Sequence, residues 1–337
     1  MTAPESSAPA SIYDRAVYPS PGPDQTGRPC EICDCDRTRS VFQVQGIDSP
    51  IVVCQGCGLG RYEPMLDDDS IASFYPTDYY GEPGTKFRKP LEAGVRALAA
   101  RRIAFLSRGV PSGGSILDVG CGRGVLFGPL ADRGFRVFGV EANETAVLGA
   151  DPRAEVHIAT RLSEAGFEAA SFDQIVIWHV LEHMVDPFDA IAECSRLLKP
   201  GGRLIVSVPN FESWQARWSG PHWFHLDPPR HLYHFPCSAL EKLMARHGFR
   251  VESTHHFSLR QNPFGWIQSA LNRFSDQPTG GLYSLLHSQP GDGISLARRL
   301  AMWAAFVVGA PLAVALSILA AAMGSGATVH VVGVKQP

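Results

Sequence analysis

This chain has no surplus of charge of either sign. Its 30 Lys and Arg stand against 33 Asp and Glu, a formal net charge of −3 over 337 residues. That leaves no broad basic field and excludes nucleic acid as an expected partner. The N-terminus lacks a basic segment leading into an apolar one. Met1 to Ser11 is instead rich in Pro, Ser and Ala, which argues against a secretory signal and predicts a disordered stretch, taken over residues 1–27. No internal repeat is present either. Apolar residues make up 45% of the chain, enough for a substantial core in one large or two modest domains.

The eight cysteines do not read as a disulfide framework. Five cluster as Cys30, Cys33, Cys35, Cys54 and Cys57, while Cys121, Cys194 and Cys237 are scattered. Such usage fits a reducing compartment and a metal site. Cys30-x-x-Cys33 followed by Cys54-x-x-Cys57 predicts a closed four-thiolate site for structural Zn2+, with Cys35 as a spare. The module, residues 28–65, is too small to build a core of its own, so the metal would supply its folding energy. An aromatic linker, residues 66–90, comes next. In it Tyr79 and Tyr80 could line a substrate site or dock the linker on the main domain.

The rest is arranged around Ile116-Leu117-Asp118-Val119-Gly120-Cys121-Gly122-Arg123-Gly124. A short apolar run predicts a buried parallel strand. The alternating glycines predict a turn over which a ligand can approach the backbone, with a helix N-terminus behind it. Leu91 to Ser107 should be a covering helix. A second strand, Arg136 to Glu141, ends in a carboxylate about twenty residues past the glycines, where a ribose could be held. Asn143 is placed to cap the next helix, and Val156 to Ala159 is a third strand. Phe172 to Trp178 is a fourth, leading into His179-Val180-Leu181-Glu182-His183. Lys199-Pro200-Gly201-Gly202 reads as a turn ending a helix and launching the fifth strand, Arg203 to Val208.

The D-x-G-x-G-x-G turn, the F-D-x-I-x-x-x-H-V-L-E-H run and the L-L-K-P-G-G segment resemble the class I S-adenosylmethionine (SAM)-dependent methyltransferases, of the bacterial methyltransferase-23 type, with a zinc-ribbon-like leader. The resemblance covers about residues 30–258 and the last strand. It implies an α/β fold: a Rossmann-like seven-stranded sheet, last strand antiparallel, with a small N-terminal zinc ribbon and a helical insertion before the last strand. It implies SAM as cosubstrate, held by Asp118, Gly120, Cys121, Gly122, Gly124, Glu141, Ala142 and His179. Thr160 and Arg161 stand where the family usually has an Asp or Asn near the adenine. Residues 91–258 and 326–337 would form the SAM-binding domain.

His179-x-x-Glu182-His183 also fits an inverted zinc-protease motif. Its place directly after a strand, and the lack of an evident third ligand, set that reading aside. Trp214 to Phe235 is dense in aromatics, His, Asp and Arg and should roof the site, either as a packed lid with Arg230 paired to Asp227 or as a catalytic element. If a base is used, His231 is the first candidate and His225 the second. Ser238, with Glu241 three residues on, predicts a capped helix. Gly248 begins the sixth strand, and Ala327 to Lys335 alternates like the antiparallel last strand.

Residues 259–325 are then an insertion. Ala301 to Val329 carries no charge, but Gly309 and Pro311 predict two short helices, too short to cross a bilayer. These would form a peripheral membrane contact over 296–323, a homodimer interface or plain core, with Arg298 and Arg299 suited to anionic headgroups. The chain is thus expected to be a cytoplasmic methyltransferase, associated with the inner face of the membrane if the insertion meets lipid. Its acceptor would be a small molecule, glycan or lipid-linked compound methylated on oxygen or carbon. The alternative is a non-catalytic binding scaffold.

Overall fold

The computed structural model describes residues 17–67, 71, 101–274, 281–286 and 295–337. The Tyr79–Tyr80 pair and the first part of the covering helix lie outside these residues, as do residues 1–16 of the expected disordered stretch.

The N-terminal sheet contains β1 (Val17–Pro19), β2 (Asp24–Thr26), β3 (Arg37–Val44), β4 (Ile51–Cys54) and β5 (Gly60–Tyr62). The expectation of disorder through residue 27 is corrected here. β1 and β2 pair antiparallel with opposite ends of β3, so the backbone bonds of 17–26 are satisfied by a strand whose sequence lies farther on.

The main sheet has seven strands: β6 (Ser115–Val119), β7 (Arg136–Glu141), β8 (Glu155–Ile158), β9 (Phe172–Trp178), β10 (Leu198–Pro209), β12 (Phe249–His255) and β13 (Thr328–Lys335). Their order is β12-β13-β10-β9-β6-β7-β8. β13 runs antiparallel between β10 and β12, as the family resemblance implies. The intervening β11 (Tyr233–His234) belongs to the other sheet. It pairs with β5, Tyr233 opposite Arg61 and His234 opposite Gly60.

Both faces of the main sheet are covered, which is why its central strands are mostly apolar. Ile116 and Val176 pack with Ile103, Leu106 and Phe127 on one side. Leu117, Ile175 and Ile177 pack on the other with Ile191 of the helix Pro187–Leu197 and Leu240 of the helix Cys237–Arg246. Each buried Leu or Ile contributes roughly 1.5–3 kcal/mol.

Three local expectations change. Lys199 to Gly202 lies inside β10 as a register break between Leu198 and Arg203, with Gly201 at φ +77°. The residues form a bulge rather than a turn. Ser238 is not a cap. Its helix starts at Cys237 after Pro236, and the N–H groups of Cys237 and Ser238 are satisfied from outside by Asn210 Oδ1 and the Glu212 carboxylate. The apolar insertion is not broken at Gly309 or Pro311, because one helix runs from Leu296 to Ala322. A proline costs about 3 kcal/mol in a helix interior. Here packing offsets it: Met302 and Ala313 bury against Ile267 of the helix Gln261–Phe274 and Leu282 of the helix Gly281–Leu286. Ile267 Cγ1 lies 3.7 Å from where a Cβ on Gly309 would sit, an ordinary contact distance, so the helix passes this position without needing glycine. The opposite side of the helix is bare, with Leu300, Val307, Val308 (79% exposed) and Leu312 facing outward.

Candidate active site

The cysteines come together as their spacing predicts. The Sγ atoms of Cys30 and Cys57 lie 3.6 Å apart, and those of Cys33 and Cys54 3.5 Å apart. Zn–S bonds of about 2.3 Å set tetrahedral S···S edges near 3.8 Å, and all four Sγ atoms lie within 4.8 Å of one another, consistent with structural Zn2+. The Cys30 thiol is held down to about 5, chiefly by the hydrogen bond from Cys57, whose own pKa rises correspondingly. The Gly56 N–H donates to Cys54 Sγ at 3.4 Å. A side chain at Gly56 would collide with Cys33 and Cys35 at 2.8 Å. Cys35 stays outside the cluster and donates to the Arg37 carbonyl.

At the C-terminal edge of the main sheet, Gly120, Gly122 and Gly124 all take positive φ. Gly120 admits Val180 of the His179–His183 loop, which a Cβ would meet at 2.5 Å. Gly122 is different, because nothing lies within 4 Å of where its Cβ would be. The turn therefore leaves open space over its middle glycine. Glu141 closes the side of this space. Its Oε2 accepts from the Gly122 N–H at 2.8 Å, and its Oε1 from the Ala142 and Asn143 N–H groups at 3.0 and 3.1 Å. The carboxylate thus ties the tip of β7 to the glycine turn and retains lone-pair capacity on Oε2. Asn143 caps a single 3-10 turn by accepting from Thr145 N. Asp118 is buried, and burial pushes its pKa up to about 6 against the attraction of the Arg102 guanidinium. Burial first, then the Asp118 and Glu141 charges, raise the Cys121 thiol.

His179 has φ +55°, rare for a residue with a side chain. The turn lays its ring into a buried polar chain. Nδ1 lies 3.3 Å from Glu182 Oε1, and Nε2 lies 3.3 Å from Ser207 Oγ, which in turn sits 2.8 Å from His330 Nδ1. Burial, then the Arg102 and Arg260 charges, lowers His179 to about 3, so the ring is neutral. Ser207 and His330 belong to this site although no local signal marks them. They are brought together by the β10–β13 register, which sets them directly opposite one another. Arg102 stacks over Trp178 at 4.1 Å, and Trp178 stacks on His330.

The lid, Trp214 to Phe235, is packed in, with Trp223, Leu226, Leu232 and Phe235 all buried. Arg230 does pair with Asp227. His231 and His225 part company. The His231 ring joins Glu182 and His183, with Nε2 4.0 Å from Glu182 Oε1 and 3.6 Å from Asp227 Oδ2. The His225 ring packs beside Trp223 and Phe224 and against Gly265, and what it offers His231 is its backbone carbonyl, 2.8 Å from Nδ1. Burial lowers His225 to about 3. The Glu182 carbonyl accepts from Leu232 N at 2.9 Å, fastening lid to loop.

Comparison with known proteins agrees with this arrangement. Residues 91–254 match a family model described as a methyltransferase domain. A probable S-adenosylmethionine-dependent methyltransferase from Mycolicibacterium smegmatis is 32% identical over 146 residues, 42% of this chain and 54% of that protein. A ubiquinone biosynthesis O-methyltransferase from Xylella fastidiosa is 36% identical over 131 residues, 36% of this chain and 52% of that protein. The chain therefore spans about half the length of these curated relatives. The crystal structure of a SAM dependent methyltransferase from Archaeoglobus fulgidus aligns with TM-score 0.46 at 17% identity, covering 72% of this chain and 94% of that one. The glycine turn, the carboxylate at the tip of β7, the strand order and the family match converge: residues 91–254 are a class I SAM-dependent methyltransferase domain joined to a ribbon-like module whose four cysteines suit structural zinc.

Proposed function

We propose that the protein transfers the methyl group of SAM to an oxygen of a small-molecule, glycan or lipid-linked acceptor. The observation that carries this reading is the open space over Gly122, bounded by the Glu141 carboxylate and by the loop that starts at His179. When bound there, SAM supplies a methyl already activated by its sulfonium. The chain's part is mostly alignment and exclusion of water, which together can supply most of the barrier reduction. Backbone N–H groups of the glycine turn and the Ala142 segment line the cosubstrate side. Glu141 is placed for the ribose hydroxyls and Asp118 for the cationic end. His179, neutral and bound at both ring nitrogens, serves as a fixed wall. The lid closes the acceptor side, with the Glu182–His183–His231 cluster facing it. Oxygen is favoured over carbon because relatives at this similarity are named O-methyltransferases.

The bare side of the helix Leu296–Ala322 supports an acceptor met at a membrane surface. This helix is long and apolar enough to cross a bilayer, with 17% of an eighteen-residue apolar stretch buried, yet it packs along the helices Gln261–Phe274 and Gly281–Leu286. A face lying along the interface fits this packing better than a crossing.

Calorimetry with SAM and with its demethylated product tests the cosubstrate reading. Binding of either in the micromolar range is expected, and binding of neither would leave a scaffold. Labelled SAM with membrane and envelope extracts then identifies the acceptor. Flotation with anionic vesicles should recover the wild-type protein and lose a Leu300→Gln/Val308→Gln variant. Equal recovery of both would overturn the membrane reading.

A further inference from the structure

The His179–His183 motif has a remainder that methyl transfer does not use. We propose that Glu182, His183 and His231 form a second metal centre, a site for a divalent transition-metal cation of the Zn2+ type with a position left for an oxygen ligand. One ligand atom from each residue falls within 4.8 Å of the other two. The residues come from two distant segments, the loop after β9 and the lid. The third ligand that the local sequence does not reveal is thus supplied from 48 residues downstream.

Three features point to a cation rather than to a chance meeting of polar groups. The rings are oriented as metal-binding imidazoles usually are, each with Nδ1 against a backbone carbonyl. His183 Nδ1 lies 3.1 Å from the Arg230 carbonyl, and His231 Nδ1 2.8 Å from the His225 carbonyl. A carbonyl can only accept, so each Nδ1 carries the proton and the His231 Nε2 presents a lone pair. That lone pair lies 4.0 Å from Glu182 Oε1 and 3.6 Å from Asp227 Oδ2, and although Arg230 pairs with Asp227, the acceptors of Glu182 and His231 still require a cation or a shared proton between them. Finally, Glu182 is 1% exposed and its Oε2 has no hydrogen-bond partner. An unpaired buried carboxylate oxygen is costly unless an ion or a proton satisfies it, and burial pushes the Glu182 pKa up to about 7.

The donor set of two imidazoles and a carboxylate suits Zn2+, Mn2+ or Fe2+ better than Mg2+ or Ca2+. Bonds near 2.0–2.1 Å would draw the ligand atoms to about 3.3 Å of one another, pulling the lid onto the loop by on the order of an ångström. His179 is not a ligand in this scheme, because its nitrogens are taken by Glu182 and Ser207. The centre therefore differs from the inverted protease motif that the sequence suggests. The site itself is independent of methyl transfer. Assigning its open position to an acceptor hydroxyl rests on the proposed function.

The test is metal content and the Co2+ spectrum of the full chain, loaded with Co2+ or Zn2+ and desalted. Two ions per chain are expected for the wild type. One ion per chain is expected for His231→Gln and for His183→Gln, with the intense thiolate-to-cobalt band of the ribbon unchanged. That band reports that each variant is folded. One ion per chain in the wild type with a full thiolate band would overturn the proposal and leave a shared proton to hold the cluster together. Adding catechol to the cobalt protein should shift the weak visible bands of the second ion. No shift would overturn the open position. SAM calorimetry on the same samples separates failure of this site from failure of the methyltransferase reading.

Discussion

The two ends of the lid are held by different physics. At its C-terminal end β11 continues the ribbon sheet by backbone pairing with β5, and that sheet depends on four thiols gathered at one point. At its N-terminal end the lid is held by buried side chains bonding to backbone. Gln215 donates to the Asn262 carbonyl, the Phe224 N–H donates to Ser269 Oγ, and Asn272 donates to the His222 carbonyl. Coordination is close to all-or-none, whereas side-chain bonds are lost one at a time. The ribbon end should therefore fail as a unit and the insertion end by degrees.

The largest effect is expected from stripping zinc or from Cys54→Ser. Structural zinc supplies on the order of 10 kcal/mol to ribbon folding, so hydrogen exchange should rise together across 30–62 and at Tyr233 and His234. Exchange confined to 30–57 would break the comparison by showing that β11 holds without the ribbon. Next comes Ile267→Ala, which opens a cavity between the insertion helices and should cost about 2–5 kcal/mol. Exchange should rise in 261–274 and 296–322, and denaturant melting should be lowered with zinc content unchanged. Ser269→Ala removes one bond to the lid and should cost about 1 kcal/mol, detectable as faster exchange at Phe224 alone.

The smallest effect concerns the cleft between the two ends. Because Asp118 titrates near 6 in the folded chain, above its unfolded value, its contribution to stability is present at low pH and fades as pH rises through about 6. Affinity for a cationic cosubstrate has the opposite sign, since it needs the charged form. From pH 7.5 to 5.5 SAM binding should weaken about fourfold, following the ionised fraction, and Asp118→Asn should abolish that dependence. A wild-type affinity flat over this range would show that Asp118 does not meet the cation.

What was legible in the sequence is what local pattern encodes. The apolar run and glycines of 116–124, the acid at 141 and the paired cysteines announced their places because turn chemistry and ligand spacing are local. The strands at 17–26 were illegible because their partner lies in β3. The unbroken helix through Pro311 was illegible because the neighbour that repays the lost bond, centred on Ile267, is more than forty residues upstream. Ser238 has a capping pattern, but Asn210 and Glu212 already occupy the helix end. At the site, His179 and Glu141 could be named from spacing. Ser207, His330 and the meeting of His231 with Glu182 emerge only from strand register and from the path of the lid.

The placement of β11 also dictates an order of events during synthesis. The edge of β5 is finished at Tyr62, but the strand that covers it ends at His234. As the chain grows, the zinc module leaves the ribosome with one row of backbone groups unpaired, and it stays so while most of the methyltransferase sheet is made. The last piece of the ribbon arrives with the lid, so the module cannot be complete before the lid has been made.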